Sequence, residues 1–164
     1  QVETDLMGLF DDLTGGTVGT GGSALTWTNI YQARARLAAA GVPGPYSVVL
    51  HEYQWFDLAT AVNVVALSSG APLRIRDEIQ NRYYVGSVSD MNFYTNGVQS
   101  AAGTVYGGMF NRQALALDIR RGFRIEPQRD ASLRGTELNV TMIYAKGVWR
   151  PSYGVAIVSD ATAP

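Results

Sequence analysis

The sequence has no cysteine, one histidine (His51) and one lysine (Lys146) among its 164 residues. The first absence removes disulfide scaffolds, thiolate metal sites and cysteine nucleophiles. The second means that any Ser-His-Asp triad, imidazole metal site or histidine general base must use His51. Charge is sparse as well: 16% of residues are charged, against ~25% in a typical soluble domain. So little charge commits little surface to water, and much of the chain is expected to face other subunits, although glycine- and threonine-rich loops also dilute charge. A net charge of −1 excludes a strong counterion-driven grip on nucleic acid. No run of ~18 apolar residues exists to span a membrane as a helix. The N-terminus has no basic region leading into an apolar core, so it is not a signal peptide. It opens on Gln1-Val2-Glu3 with no initiator methionine, as a processed or truncated product does.

The length allows one well-buried core, or one body with a subsidiary lobe. Val2, Leu6, Leu9, Phe10 and Leu13 fall at helical spacing, the tail of a helix. Residues 14–23 (TGGTVGTGGS) are rich in glycine, but a phosphate-cradling loop needs Gly-Lys-Ser/Thr at a helix start. No lysine is there, so the stretch reads as a flexible connector. Thr26 is placed to cap a helix over 27–40, with Trp27, Ile30, Tyr31, Leu37 and Ala38 on one face and Arg34 interrupting it. Gly41, Pro43 and Pro45 end it. Residues 46–50 (YSVVL) form a buried-type strand. A second helix starts near Glu52, with Trp55, Leu58, Ala59, Val62 and Val65 as its face. A third follows Pro72, aligning Ile75, Ile79 and Tyr83, with Glu78 and Arg82 as an i,i+4 pair.

From Tyr84 the period becomes two. Strands are predicted over 84–88, 91–94 and 104–110, with a turn at Asn96-Gly97. Asn111 is placed to cap a short segment over 112–118. Phe123–Glu126 and Leu138–Val148 are the long strands, the second carrying Leu138, Val140, Met142 and Tyr144 on one face. Val155–Val158 is the last strand. Helices and strands mix without a regular βαβ beat, so the class is α+β, with one core and no internal repeat.

Nothing in this chain forms a convincing catalytic constellation. His51 sits where a buried strand meets a helix, followed by Glu52 and Asp57. A small hydrolase using His51 is one reading; a hydrogen-bonding histidine at a strand–helix junction is the plainer one. Neither an HExxH nor an Asp-x-Asp spacing supports a metal. The adjacent carboxylates Asp11-Asp12 and Asp77-Glu78 do not face each other on a helix, so neither pair is a natural acid/base dyad. Arg120, Arg121 and Arg124 lie between Asp118 and Glu126, a pattern for salt bridges within or between subunits rather than for a nucleic-acid stripe. Twelve of the thirteen basic residues are Arg, which suits paired, partly desolvated interface charges; a GC-rich genome gives the same bias. The segment Gln128–Thr136 is polar and too long for a tight hairpin. Its Arg129, Asp130 and Arg134 make a charge-alternating tip, placed either to meet a symmetry mate or to stand free in solvent.

The order of these segments resembles the tailed-bacteriophage major capsid proteins, whose fold is shared by encapsulin shells and the floor domain of herpesvirus capsids. The resemblance is carried by LTWTNIYQARARLAAAGVPGPYSVVLHEYQWFDL, by RIRDEIQNRYYVGSVSDMNFYTN, and by GMFNRQALALDIRRGFRIEPQRD with TELNVTMIYAKGVWRP. Position 52 is Glu where that family often has proline. The resemblance implies a spine-helix end and connector over 1–25, and an axial domain over 26–120 with a return strand over 150–160. It implies a peripheral-domain strand pair over 121–149, whose tip near Arg129–Arg134 approaches local three-fold axes. The N-terminal arm, extended loop and most of the spine helix have no counterpart in these residues. The implied function is structural: self-assembly through pentamers and hexamers into an icosahedral shell around packaged double-stranded DNA, within a virion assembled in the host cytoplasm. No enzyme activity, cofactor, metal or membrane is implied. Partners would be copies of the chain itself and portal, scaffolding or decoration proteins, with DNA enclosed without sequence-specific binding. An encapsulin-like compartment around protein cargo is the alternative within the same fold.

Overall fold

The computed structural model describes residues 2–61, 84–97, 103–130, 132 and 134–160. It opens with a short helix α1 (Val2–Met7) and a 3-10 turn (Phe10–Asp12), followed by strand β1 (Thr17–Gly19). Helix α2 (Trp27–Ala39), strand β2 (Tyr46–Leu50) and helix α3 (Glu52–Ala61) come next. Strands β3 (Tyr84–Val88), β4 (Met91–Thr95) and β5 (Thr104–Asn111) then lead to two long strands, β6 (Leu115–Asp130) and β7 (Gly135–Val148). Strand β8 (Gly154–Asp160) closes the order. The third expected helix, over 72–83, lies outside the described residues, as does the end of the second beyond Ala61.

Two sheets result. Six strands form one in the order β1-β8-β5-β2-β4-β3, and β6 with β7 forms a separate two-stranded ribbon. The β1–β8 and β2–β4 pairs are parallel and the others antiparallel. Helices α2 and α3 cover one face of the main sheet through Ile30, Ala33, Leu37 and Leu58, packed with Val48, Phe93, Met109 and Ile157. The opposite face carries a smaller cluster of Met7, Phe10, Leu13 and Ala114, against Val49 and Phe110. The swap from Val48 to Val49 and from Met109 to Phe110 is the period-two alternation of a sheet covered on both sides.

Local chemistry explains most boundaries. The Thr26 hydroxyl accepts the Asn29 N–H at 3.4 Å and caps α2, as expected. Its buried stripe is turned from the expected one: Ala33 is fully buried, whereas Tyr31 is 46% exposed and Ala38 is exposed. Arg34 is no interruption, because its guanidinium grips Asp90 through Nε–Oδ1 at 2.6 Å and Nη2–Oδ2 at 3.2 Å. The fork ties α2 to the β3–β4 turn. It also holds the Asp90 carboxyl below its ordinary value of 3.8. Its contribution is therefore full above the ordinary carboxylate range and fades as pH falls through the lower, folded value. Stability to urea is expected to drop as pH falls below the ordinary carboxylate range, and Asp90→Asn to flatten that drop. Equal slopes for the two proteins would show that this pair does not govern the acid limb.

The glycine-rich stretch is not a connector. Its Thr17, Val18 and Gly19 pair in parallel with Ala156, Ile157 and Val158, and Val18 is buried. Glycine lets the backbone come this close: a Cβ on Gly15 would strike the Gly154 carbonyl, and one on Gly19 the Val158 carbonyl. Gly19 also takes a left-handed φ of +88°. Asn111 caps a turn and not a helical segment. Its Oδ1 accepts the Gln113 N–H at 2.9 Å, its Nδ2 donates to the Pro43 carbonyl at 2.6 Å, and β6 begins at Leu115.

Candidate assembly surface

The ribbon leaves the main sheet at a narrow root, where the Trp149 N–H and Arg150 N–H both donate to the Ala114 carbonyl, at 2.8 and 3.2 Å. From there β6 runs for 16 residues, on the order of 50 Å at the usual strand rise. The register sets Ile125 opposite Val140 and Pro127 opposite Leu138, while Arg124, Glu126 and Gln128 stand opposite Thr141, Asn139 and Glu137. One face is thus apolar and the other polar. The apolar face is open: Phe123 is 77% exposed, Ile125 63%, Leu138 65% and Val140 59%. Two register shifts, between Ile119 and Arg121 and between Arg121 and Arg124, bend the ribbon midway.

All three expected contact residues come together at the tip. Arg129 and Asp130 end β6 opposite Thr136 and Gly135, and Arg134 sits in the connecting turn with φ +49°. The connection is tighter than expected, spanning only 131–134. Gln128, Glu137 and their neighbours are polar because they line the solvent face of paired strands, not because they form a loop. Arg129 and Arg134 are exposed, and neither guanidinium has a partner among the described residues. Along the strand Arg124 pairs with Glu126 at 2.8 Å and Arg120 with Asp118 at 3.5 Å. Both pairs are well exposed and are of the kind that adds little stability.

His51 is held in place by hydrogen bonds to α3. Its imidazole Nδ1 accepts the Tyr53 N–H at 3.1 Å and so caps the first turn of α3, and its own N–H donates to Gln54 Oε1 at 3.0 Å. No carboxylate orients it among the described residues. Replacing His51 with alanine is expected to cost about 1 kcal/mol, the usual worth of a helix cap, measurable by thermal unfolding. A hydrolytic activity that vanished in a folded His51→Ala protein would overturn the assignment. Asp11 and Asp12 are exposed on the 3-10 turn; Asp77 and Glu78 lie outside the described residues. Among the described residues no group of three or more His, Asp or Glu is placed to hold a metal, and no helix is long and apolar enough to cross a membrane.

Two solved structures similar to this chain come from phages. One, from Mycobacterium phage Che8, superposes with a TM-score of 0.65 at 19% identity, over 94% of this chain. The chain has the tailed-phage major capsid fold. A second neighbour, the capsid structure of the cyanophage P-SCSP1u, superposes over 89% of the chain with a TM-score of 0.52 at 17% identity. The chain spans 57% of the length of the Che8 chain and 52% of the cyanophage chain. No family model and no curated protein matches the sequence. The capsid fold agrees with the α+β class expected from the mixed periodicity.

The open apolar face had a readable signal, the alternation of Leu138, Val140, Met142 and Tyr144. Its pairing with Ile125 and Pro127 did not, because register across a hairpin depends on the shifts between Ile119 and Arg124.

Proposed function

We propose that this chain is part of a phage major capsid protein, which assembles through pentamers and hexamers into an icosahedral shell around double-stranded DNA. The observation that carries this is the superposition of 94% of the chain on a phage structure with a TM-score of 0.65. On this reading residues 26–120 and 150–160 form the axial domain, 121–149 the peripheral pair, and the protein resides in the virion after assembly in the host cytoplasm. It acts as a structural component and not as an enzyme. Arg129, Asp130 and Arg134 meet neighbouring copies near local three-fold axes, where unpaired guanidinium groups on a rigid ribbon find carboxylates and fix the register of the contact. Broad, weakly charged flanks suit a subunit that touches several neighbours, since modest contacts add up at interfaces of ~1,600 Å² each. DNA is enclosed rather than gripped, consistent with a net charge of −1.

The test is electron microscopy of the purified native particle, with the intact mass of its subunit and the nature of its contents. Closed icosahedral shells holding DNA are the expected result. Shells holding an enzyme and no DNA would replace the reading with a protein compartment, and a monodisperse monomer would overturn it.

A further inference from the structure

Among the described residues the ribbon shares no strand pairing with the six-stranded sheet. Its root, among the described residues, packs Leu115 and Val148 against the small cluster of Met7, Phe10, Leu13 and Ala114. At the inner angle between ribbon and sheet lies an open apolar cavity of about 380 Å³, lined by Leu6, Met7, Phe110, Leu115 and Leu117. Close packing therefore does not set the angle at which the ribbon stands. A polar contact above the root does bear on it. Tyr144 Oη donates a short hydrogen bond to Asp5 Oδ2, and Lys146 Nζ donates to the Asp5 backbone carbonyl at 2.5 Å and stands 3.8 Å from Asp5 Oδ1. Both residues project from β7, and Asp5 lies in the middle of α1, so one carboxylate bridges helix and ribbon. Lys146 is the sole lysine of the chain.

We infer that Asp5, Tyr144 and Lys146 form a latch that holds the β6–β7 ribbon at a fixed angle to the six-stranded sheet, and that opening it lets the ribbon pivot about its root at residues 112–115 and 148–150. The pivot has room on its inner side in the cavity, and Gly147 has open space where a side chain would stand. The latch follows from the geometry of one copy. Its use rests on the shell reading: identical chains in non-identical shell positions need an adjustable angle, and a latch of one carboxylate with two partners is easily broken and remade.

These 164 residues hold no cysteine to compete for the label, and any elsewhere in the full-length protein is replaced by serine first. Spin labels on Gln32→Cys, exposed on α2, and Glu137→Cys, near the ribbon tip, report the angle by pulsed dipolar spectroscopy. Labelled full-length protein is diluted among unlabelled copies so that each distance arises within one molecule. The latched protein is expected to give one narrow distribution. Tyr144→Phe and Asp5→Asn are each expected to widen it about twofold, as local restraint is lost without global unfolding. Arg124→Gln, which breaks an ion pair within the ribbon, should leave it narrow. Unchanged distributions in both latch variants, or equal widening in the Arg124→Gln control, would overturn the inference. Circular dichroism on each variant confirms that the helices remain. The readout does not depend on shells forming, so failure of the shell reading shows in microscopy and failure of the latch in the distances.

Discussion

Gln54→Ala is expected to destabilise the protein by about 3–5 kcal/mol, the range for breaking a buried hydrogen-bond network. Gln54 is fully buried on α3. Its Nε2 donates to the Val105 carbonyl at 3.2 Å and to Ser159 Oγ at 2.7 Å, while its Oε1 accepts the His51 N–H. One side chain thus bolts the helix start to β5 and β8. Truncation strands a hydroxyl, a carbonyl and an amide in a site too well packed for water to replace the lost group at no cost, and it also leaves a void. Gln54→Glu keeps the shape but sets a carboxylate oxygen against the Val105 carbonyl, so it is expected to be as damaging at neutral pH. Chemical denaturation with two probes measures both; a loss under about 1 kcal/mol for either would show that the network is dispensable.

The second large effect falls on assembly. Arg129→Glu combined with Arg134→Glu is expected to abolish closed particles while leaving the unfolding midpoint within about 0.5 kcal/mol of the parent, the usual range for exposed sites. Both side chains are exposed at the ribbon tip and neither has an internal partner among the described residues to lose. On the proposed reading, in which the tip meets carboxylates of neighbouring copies, reversal turns two attractive contacts per copy into two repulsive ones, a penalty repeated at every copy. Sedimentation and negative-stain microscopy read the outcome. Normal particles from the double variant would remove the tip from the contact set, and would leave the apolar face of Phe123, Ile125, Leu138 and Val140 as the stronger candidate.

Signals confined to one element were legible in the sequence, and those set between elements were not. Thr26 is readable as a cap because the hydroxyl and the amide it accepts are three residues apart. The strands over 84–95 and 104–111 announce themselves by alternation. Glycine misled, since TGGTVGTGGS composes equally well a loose linker and a strand lying hard against another backbone; only the closeness of the Gly154 and Val158 carbonyls separates the two. Gln54 went unnoticed because a glutamine on a helix is ordinarily solvated, and its partners come from β5 and β8, distant in sequence. Arg129, Asp130 and Arg134 do lie at one end of the ribbon. Their turn was drawn too long because polar residues on a two-sided ribbon resemble a loop.

The main sheet places β8 between β1 and β5, so a strand that begins at residue 17 waits for one that ends at residue 160. During synthesis at ~5–20 residues per second, β1 spends several seconds as an unpaired edge with nothing to close against. Helix α2 and strands β2 to β5 can gather early, but the hydrogen bonds of β1 and of one edge of β5 remain open until β8 emerges. Such a non-local closing step is slow by nature, and it imposes an order on biosynthesis. A nascent chain has no finished main sheet until the strand that seals it has left the ribosome, and on the shell reading any joining of subunits waits for that moment.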